Sequence, residues 1–367
     1  MNRRLQSLDA LRGIIIIYMV LVNCPGDEWL RYSILTHAVW DGWTISDLVA
    51  PGFLWVMGLS LPFALHRRMA LSGKSREIFI YILRRSLIIF LIGMALNFIL
   101  IYDSPDKWSI IEFTGILQRI GISYLIAAML FVTTGIRGHM IWIIAGPLLY
   151  WVLATSISVP GFGTGRFDPE GNVASYIDFL LLGLHGGNYH SILSLLTTTA
   201  TVSLGVLTGS LLRLELSSQK KLLWLLLFAI VLSLLGILAE RWVPVNRRLW
   251  TPSFVLLTAG ILNITFCVFY VFIDMLNFKK WAIPLVVFGL NPLFIFSFSE
   301  ICRILANKKG VLLSGGHWIS LWDYAYTMFF LRIANPLNAS LLFSVTYVCI
   351  FLIIGYVMYF KHWIVKI

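Results

Sequence analysis

Long apolar runs alternate along the chain with short polar and basic ones. Ten such runs stand near residues 13–22, 44–65, 86–102, 113–134, 140–159, 191–212, 222–239, 252–275, 281–301 and 339–360. A helix crosses the hydrocarbon core of a bilayer with about 20 mostly apolar residues. The pattern therefore predicts an all-α polytopic membrane protein of about ten transmembrane helices. No stretch is left for a separate soluble domain, so residues 1–367 are expected to form a single domain. The longest polar insertion, 160–190, is rich in glycine and carries a candidate short helix at 174–184. A second, interfacial helix is expected near 322–333.

The polar connections differ in charge. If the spans alternate sides, residues 1–12, 66–85, 135–139, 213–221, 275–281 and 361–367 share one side. They hold 17 of the 28 lysines and arginines, among them Arg3, Arg4, Arg12, Arg67, Arg68, Lys74, Arg84 and Arg85. An excess of Lys and Arg marks cytoplasmic loops, so both termini are expected in the cytoplasm. Arg303, Lys308 and Lys309 fall on the opposite side, against that rule. Residues 36–58 begin polar and aromatic and then turn apolar, as a chain does on re-entering a bilayer. Trp40 and Trp43 suit the headgroup region, and His37 then lies at the outer mouth of the second span.

Composition fits the same class. Hydrophobic residues make up 59% of the chain and charged residues 12%, with mean hydropathy +0.86. Soluble domains carry about 25% charged residues. The net charge of +11 would suggest nucleic acid in a soluble protein. Here it reflects basic loops, and the expected partner is the lipid bilayer, with no nucleic acid. Cys24, Cys267, Cys302 and Cys349 are scattered without a CxxC pair, which indicates neither a disulfide framework nor a metal site. No phosphate-binding glycine loop or zinc pattern occurs. The first residues are too polar for a cleavable signal, and no small-residue cleavage site follows.

The chemistry rests on polar residues at span mouths or inside spans. Asp47 is expected one and a half to three turns inside the second span, where an ionisable group is costly and a functional candidate by default. Thr44-Ile45-Ser46-Asp47 also fits a capping box. His37 can exchange a proton near neutral pH. Asn23 ends the first apolar run and, one short loop away, can converge on His37 as a donor to an oxyanion. Asp9 and Arg12 share a helix face and can pair. Arg84 and Arg85 can bind phosphates, Arg being the better fork. Gln118-Arg119 lies within the fourth span, where a charge should pair or face a cavity. Asn246 to Thr251 can form an outer rim, and Asn291-Pro292 breaks the ninth span.

With those residues in view, the chain resembles a known family. Arg4-Leu5-Gln6-Ser7-Leu8-Asp9-Ala10-Leu11-Arg12-Gly13 is similar to the opening signature of the transmembrane acyltransferases. Met19 to Asn23 and His37 to Val49 resemble the heparan-alpha-glucosaminide N-acetyltransferase branch and its bacterial relatives. Arg84 to Leu87, Leu96-Asn97, Gly115 to Ile120 and Asn246 to Gly260 extend the resemblance over nearly the whole chain. It implies transfer of acetyl from cytosolic acetyl-CoA to an amino sugar, a terminal glucosamine-like amine, at the outer side of a bacterial inner membrane. The implied catalytic residues are His37 as base, Asn23 and Asp47, with no metal. A route through acetylated His37 is the mechanistic rival. Arg12, Arg84, Arg85, Gln118 and Arg119 are the candidates for acetyl-CoA. Trp40, Asp41, Asn246, Trp250 and Asn291 are the candidates for the acceptor. A homodimer is also implied. Two departures fall on the acceptor side: Asp41 replaces the family's Asn, and Asp168-Pro169-Glu170-Gly171 stands well before the sixth span, which Tyr189-His190-Ser191 leads into instead. A permease for amino sugars or small glycans is the alternative reading of the same polar pattern, although transporters often carry inverted repeats and no clear repeat is evident.

Overall fold

A computed structural model describes residues 5–72, 75–102, 115–183, 191–312 and 318–365. Arg3, Arg4, Lys74, Tyr189 and His190, invoked above, lie outside those residues. The described chain is mainly helical. Its helices are α1 (Gln6–Asn23), α2 (Val49–Ser72), α3 (Ser75–Ile101), α4 (Ile116–Ser156), α5 (Val173–Leu182), α6 (Leu195–Arg213), α7 (Ser218–Ala239), α8 (Pro252–Phe269), α9 (Ile283–Leu290), α10 (Pro292–Lys308), α11 (Leu321–Ala325) and α12 (Pro336–Phe360). Eight stretches are long and apolar enough to cross a membrane, and α9 with α10, bent by 71° at Asn291, pass the same test together.

The helix α4 accounts for two of the expected spans. Its 41 residues would reach about 60 Å at 1.5 Å per residue, twice the hydrocarbon core. Gly135, at φ 62° and ψ −148°, breaks it, a backbone state open to a residue without Cβ. Phe131 meets His139 with ring centroids 6.0 Å apart, and Arg119 lies within electrostatic reach of Tyr150. Residues about equally far from Gly135 thus face each other, and the two arms form an antiparallel hairpin. Counting the hairpin as two passes and α9–α10 as one broken pass gives ten candidate passes among the described residues.

Helix starts differ from the apolar runs. The helix α1 begins seven residues before its run and α3 eleven before, because helical hydrogen bonding continues where side chains leave the apolar core. Arg84 and Arg85 consequently sit on α3 itself. Asp47 lies in a 3-10 turn, Ile45–Leu48, at the mouth of α2, earlier than expected. The interfacial helix is a single α-helical turn, α11, followed by a π-helical one. A small antiparallel hairpin, β1 (Gly310–Leu312) and β2 (Trp318–Ser320), had no sequence counterpart.

Glycines let the central helices close on one another. A Cβ at Gly205 of α6 would stand 2.0 Å from the Trp55 carbonyl oxygen of α2, and one at Gly58 would stand 2.0 Å from that of Val202. Close backbone approach of this kind is how helices pack where lipid is as apolar as leucine. The helix α1 is the central post, touching α2, α8, α9, α10 and α12. Arg12 fastens it, donating to Asp9 Oδ1 at 3.0 Å, to the Gly289 carbonyl at 3.3 Å and to Ser60 Oγ at 2.7 Å. The last described residues return to the same end. Asn291 donates to the Trp363 carbonyl at 2.9 Å and accepts from the Val365 amide at 2.8 Å. That end is the terminal face below. The opposite end, with the α1–α2 loop, is the loop face.

Candidate active site

The α1–α2 loop is organised by one buried carboxylate. Asp47 is fully buried. Its Oδ2 accepts the backbone amides of Ala38 at 3.1 Å and Thr44 at 2.9 Å. Its Oδ1 meets His37 Nδ1 at 2.8 Å and Arg247 Nε at 2.9 Å. A carboxylate offers about four acceptor sites and, when ionised, no donor, so these four groups, with Thr44 Oγ1 a further 3.2 Å contact on Oδ2, saturate it. The His37 Nδ1 must then carry the proton, which leaves the lone pair on Nε2. The Thr44–Asp47 capping box closes as well, so the same carboxylate caps the turn and orients the imidazole.

A second loop clamps the first. Gly42 donates its amide to the Val245 carbonyl at 2.7 Å, and Asn246 Nδ2 donates to Asp41 Oδ1 at 3.1 Å. Trp40 Nε1 donates to the Phe167 carbonyl at 2.8 Å, with the Arg248 guanidinium 5.8 Å from its ring. Burial holds the Arg247 guanidinium below its usual pKa, and the Asp47 carboxylate pulls it back up. Trp40, Asp41 and Asn246 therefore lock the His37 loop in place. Trp250 is buried at φ 56°. Its Nε1 donates to Thr201 Oγ1 at 3.1 Å, and the buried Arg119 guanidinium stands 5.1 Å from its ring.

His37 opens on a cavity of about 400 Å3 at the loop face, lined also by Asn23, Asn97, Gln118, Glu300 and Arg303. The His37 side chain is 31% exposed. Asn23 Nδ2 donates to Glu300 Oε1 at 3.2 Å, and Arg303 grips Glu300 Oε2 through Nε at 3.0 Å and Nη2 at 2.8 Å. Asn23 and His37 thus converge as the sequence suggested. Gln118 and Arg119 part company, Gln118 on the cavity wall and Arg119 in the core against Trp250.

A larger cavity, about 640 Å3, opens at the terminal face. Arg12, Arg68, Arg84 and Arg85 line it, with Ser60, Tyr81 and Asn291. Arg68 lies 3.5 Å from the Tyr81 ring centroid and Arg85 4.8 Å from that of Tyr124. Asn291 belongs to this end, away from Trp40, Asp41, Asn246 and Trp250. The two cavities approach along α3 and α10. Ile89 and Phe294 line the terminal one, and Gly93 and Phe296 the loop-face one. Ile89 and Gly93 are four residues apart, about 6 Å along a helix. Among the described residues no group of three His, Cys, Asp or Glu side chains is placed to hold a metal ion.

Three members of this constellation have weak signatures in the sequence. Arg247 reads there only as part of a rim. Glu300 and Arg303 are marked only by an i,i+3 acid–base pair in an apolar run, which is itself a signal.

The family model described as "Heparan-alpha-glucosaminide N-acetyltransferase, catalytic" matches residues 4–241. The human protein named heparan-alpha-glucosaminide N-acetyltransferase is 26% identical over 359 residues, covering 81% of this chain and 53% of that protein. The mouse protein of the same name is 24% identical over the same coverage. The chain spans about half the length of these curated relatives.

Proposed function

The chain belongs to the heparan-alpha-glucosaminide N-acetyltransferase catalytic family, and from that membership we propose that it transfers acetyl from acetyl-CoA to the amine of a glucosamine-like sugar across a membrane. The observation that carries the reading is the Asp47-bound imidazole of His37 on the wall of a cavity it shares with Asn23.

The basic loops make the terminal face cytoplasmic, where acetyl-CoA is available. The terminal cavity suits that substrate. Arg12, Arg68, Arg84 and Arg85 supply charge for phosphates, and the apolar α3 and α10 walls suit a pantetheine arm reaching toward the loop face. Gln118, on the loop-face wall, meets the acetyl end of that arm. Arg119 contributes no direct contact and stiffens the wall from behind.

At the loop face the neutral acceptor amine attacks the thioester carbon. His37 Nε2 takes the proton released as the N–C bond forms, acting as general base. Asp47 fixes the tautomer that makes this possible and stabilises the imidazolium. Asn23 donates its amide hydrogen to the developing oxyanion, held at the correct angle by Glu300. As the C–S bond breaks, the proton on His37 passes to the leaving thiolate. The products are an N-acetylated sugar and CoA thiol.

Detergent-purified protein given acetyl-CoA and glucosamine tests the reading. It predicts release of CoA thiol matched by N-acetylglucosamine, and loss of about a hundred- to ten-thousand-fold in turnover for His37→Ala. Undiminished turnover of that variant overturns the assignment of His37. No acetylation by the unaltered protein overturns the enzyme reading itself.

A further inference from the structure

The His37 cavity does not end at Asn23. A further cavity of about 290 Å3 opens beside it, and Asn23, Glu28 and Arg303 line both. Its other walls come from the turn after α1 and from α10 and α11. Trp322 forms a rigid side. Its Nε1 donates to the Pro25 carbonyl at 2.9 Å, and its ring is wedged against Phe343 and Tyr347. Trp29 presents a ring that is 94% exposed. Flat indole faces at a polar cleft are surfaces on which the C–H face of a pyranose packs.

The charge of this cavity is distinctive. It adds Asp27 and Asp323 to the residues it shares with its neighbour, and no further cation lines it among the described residues. Asp27 Oδ1 accepts the Trp29 amide at 2.8 Å, and Asp323 Oδ2 accepts Ser320 Oγ at 2.7 Å. Both carboxylates are therefore fixed in position. Neither is within ion-pair distance of a cation among the described residues; Arg303 is committed to Glu300, and Arg31, on the wall of the neighbouring cavity, acts on Asp27 and Glu28 only at longer range. Carboxylates accept from sugar hydroxyls and ammonium groups and repel sulfate and uronate.

We propose that this cavity seats the sugar next to the one being acetylated, and that it accepts an uncharged or amine-bearing sugar while rejecting an anionic one. The proposal rests on the acetyltransferase reading above. It sets this chain's acceptor apart from heparan, a uronate polymer, although the relatives carry heparan in their names.

The test compares three acceptors with the purified full chain: glucosamine, the β1,4-linked glucosamine disaccharide, and a glucosamine–uronate disaccharide. Transfer to glucosamine alone reports on the enzyme reading, so the two readings fail separately. The subsite predicts kcat/KM for diglucosamine about tenfold or more above the uronate disaccharide, and above glucosamine itself. Asp27→Asn with Asp323→Asn should erase most of the discrimination against uronate and leave glucosamine unchanged. Trp29→Ala should lower kcat/KM for diglucosamine toward that of the monosaccharide. Equal use of glucosamine and diglucosamine, a preference for the uronate disaccharide, or discrimination untouched by these variants overturns the proposal.

Discussion

Asp47 Oδ1 lies 2.8 Å from His37 Nδ1, and every other acceptor position of that carboxylate is occupied by a donor from the loops around it. The pair thereby settles which ring nitrogen carries the proton. Asp47→Asn would present an amide that can donate to Nδ1 and reverse the tautomer. Turnover is expected to fall by about a hundred- to ten-thousand-fold with acetyl-CoA affinity retained. Steady-state kinetics beside equilibrium binding of acetyl-CoA separates the two quantities. Equal losses in both would mean that Asp47 only holds the loop together.

Arg247 reaches the imidazole through Asp47 and is a positioning residue. Its Nε, 2.9 Å from the Oδ1 that also faces His37, holds that oxygen toward the ring. Arg247→Gln should lower kcat with KM for acetyl-CoA little changed, and Arg247→Lys, which keeps the charge, should restore much of it. A rise in KM with kcat preserved, or no rescue by lysine, would reduce Arg247 to a loop tether.

Asn23 faces the same cavity from the end of α1. Removing one oxyanion donor costs about a hundred- to a thousandfold in kcat, and that is the expectation for Asn23→Ala, with KM for acetyl-CoA little changed. A rise in KM with kcat preserved would instead make Asn23 a binding residue.

How much of this could be read from residues alone followed from distance along the chain. His37 and Asp47 stand ten residues apart in one loop, so a capping pattern and a re-entry pattern exposed both. The competing expectations for Asp47, cap or functional group, prove compatible, because one carboxylate has acceptors enough for both. Arg247 joins them from about two hundred residues away, and only packing brings it there. Gln118 and Arg119 are adjacent, yet successive helical residues turn by about 100°. One therefore lines the cavity and the other packs on Trp250. Asn291 marks a bend in the broken pass, as its proline neighbour implied, but the bend lies at the terminal face, clasping residues 363–365. The ten passes were legible from hydropathy, and the early starts of α1 and α3 were not, because a helix does not stop where its apolar run does.

Arg84 and Arg85 line the terminal cavity in different settings. Arg84 is exposed there, and Arg84→Gln should raise KM for acetyl-CoA and flatten its salt dependence without altering thermal stability. Arg85 packs on Tyr81 and Tyr124. Arg85→Gln should raise KM and also lower the melting temperature, since a desolvated cation–π contact contributes about 1–2 kcal/mol. Kinetics over a salt series, with a melt of each variant, checks both. An unmoved KM in Arg84→Gln would assign that residue to membrane orientation alone.

On the proposed reading, donor and acceptor meet from opposite faces, with His37 at the far end of a path beginning among the terminal-face arginines. Reconstitution into liposomes of known orientation tests it most directly, with radiolabelled acetyl-CoA on one side and glucosamine on the other. Label should reach glucosamine when acetyl-CoA is on the side carrying the chain termini, and not in the reverse arrangement. Product formed only when both substrates share one side would rule out transfer across the membrane and leave a one-sided acetyltransferase.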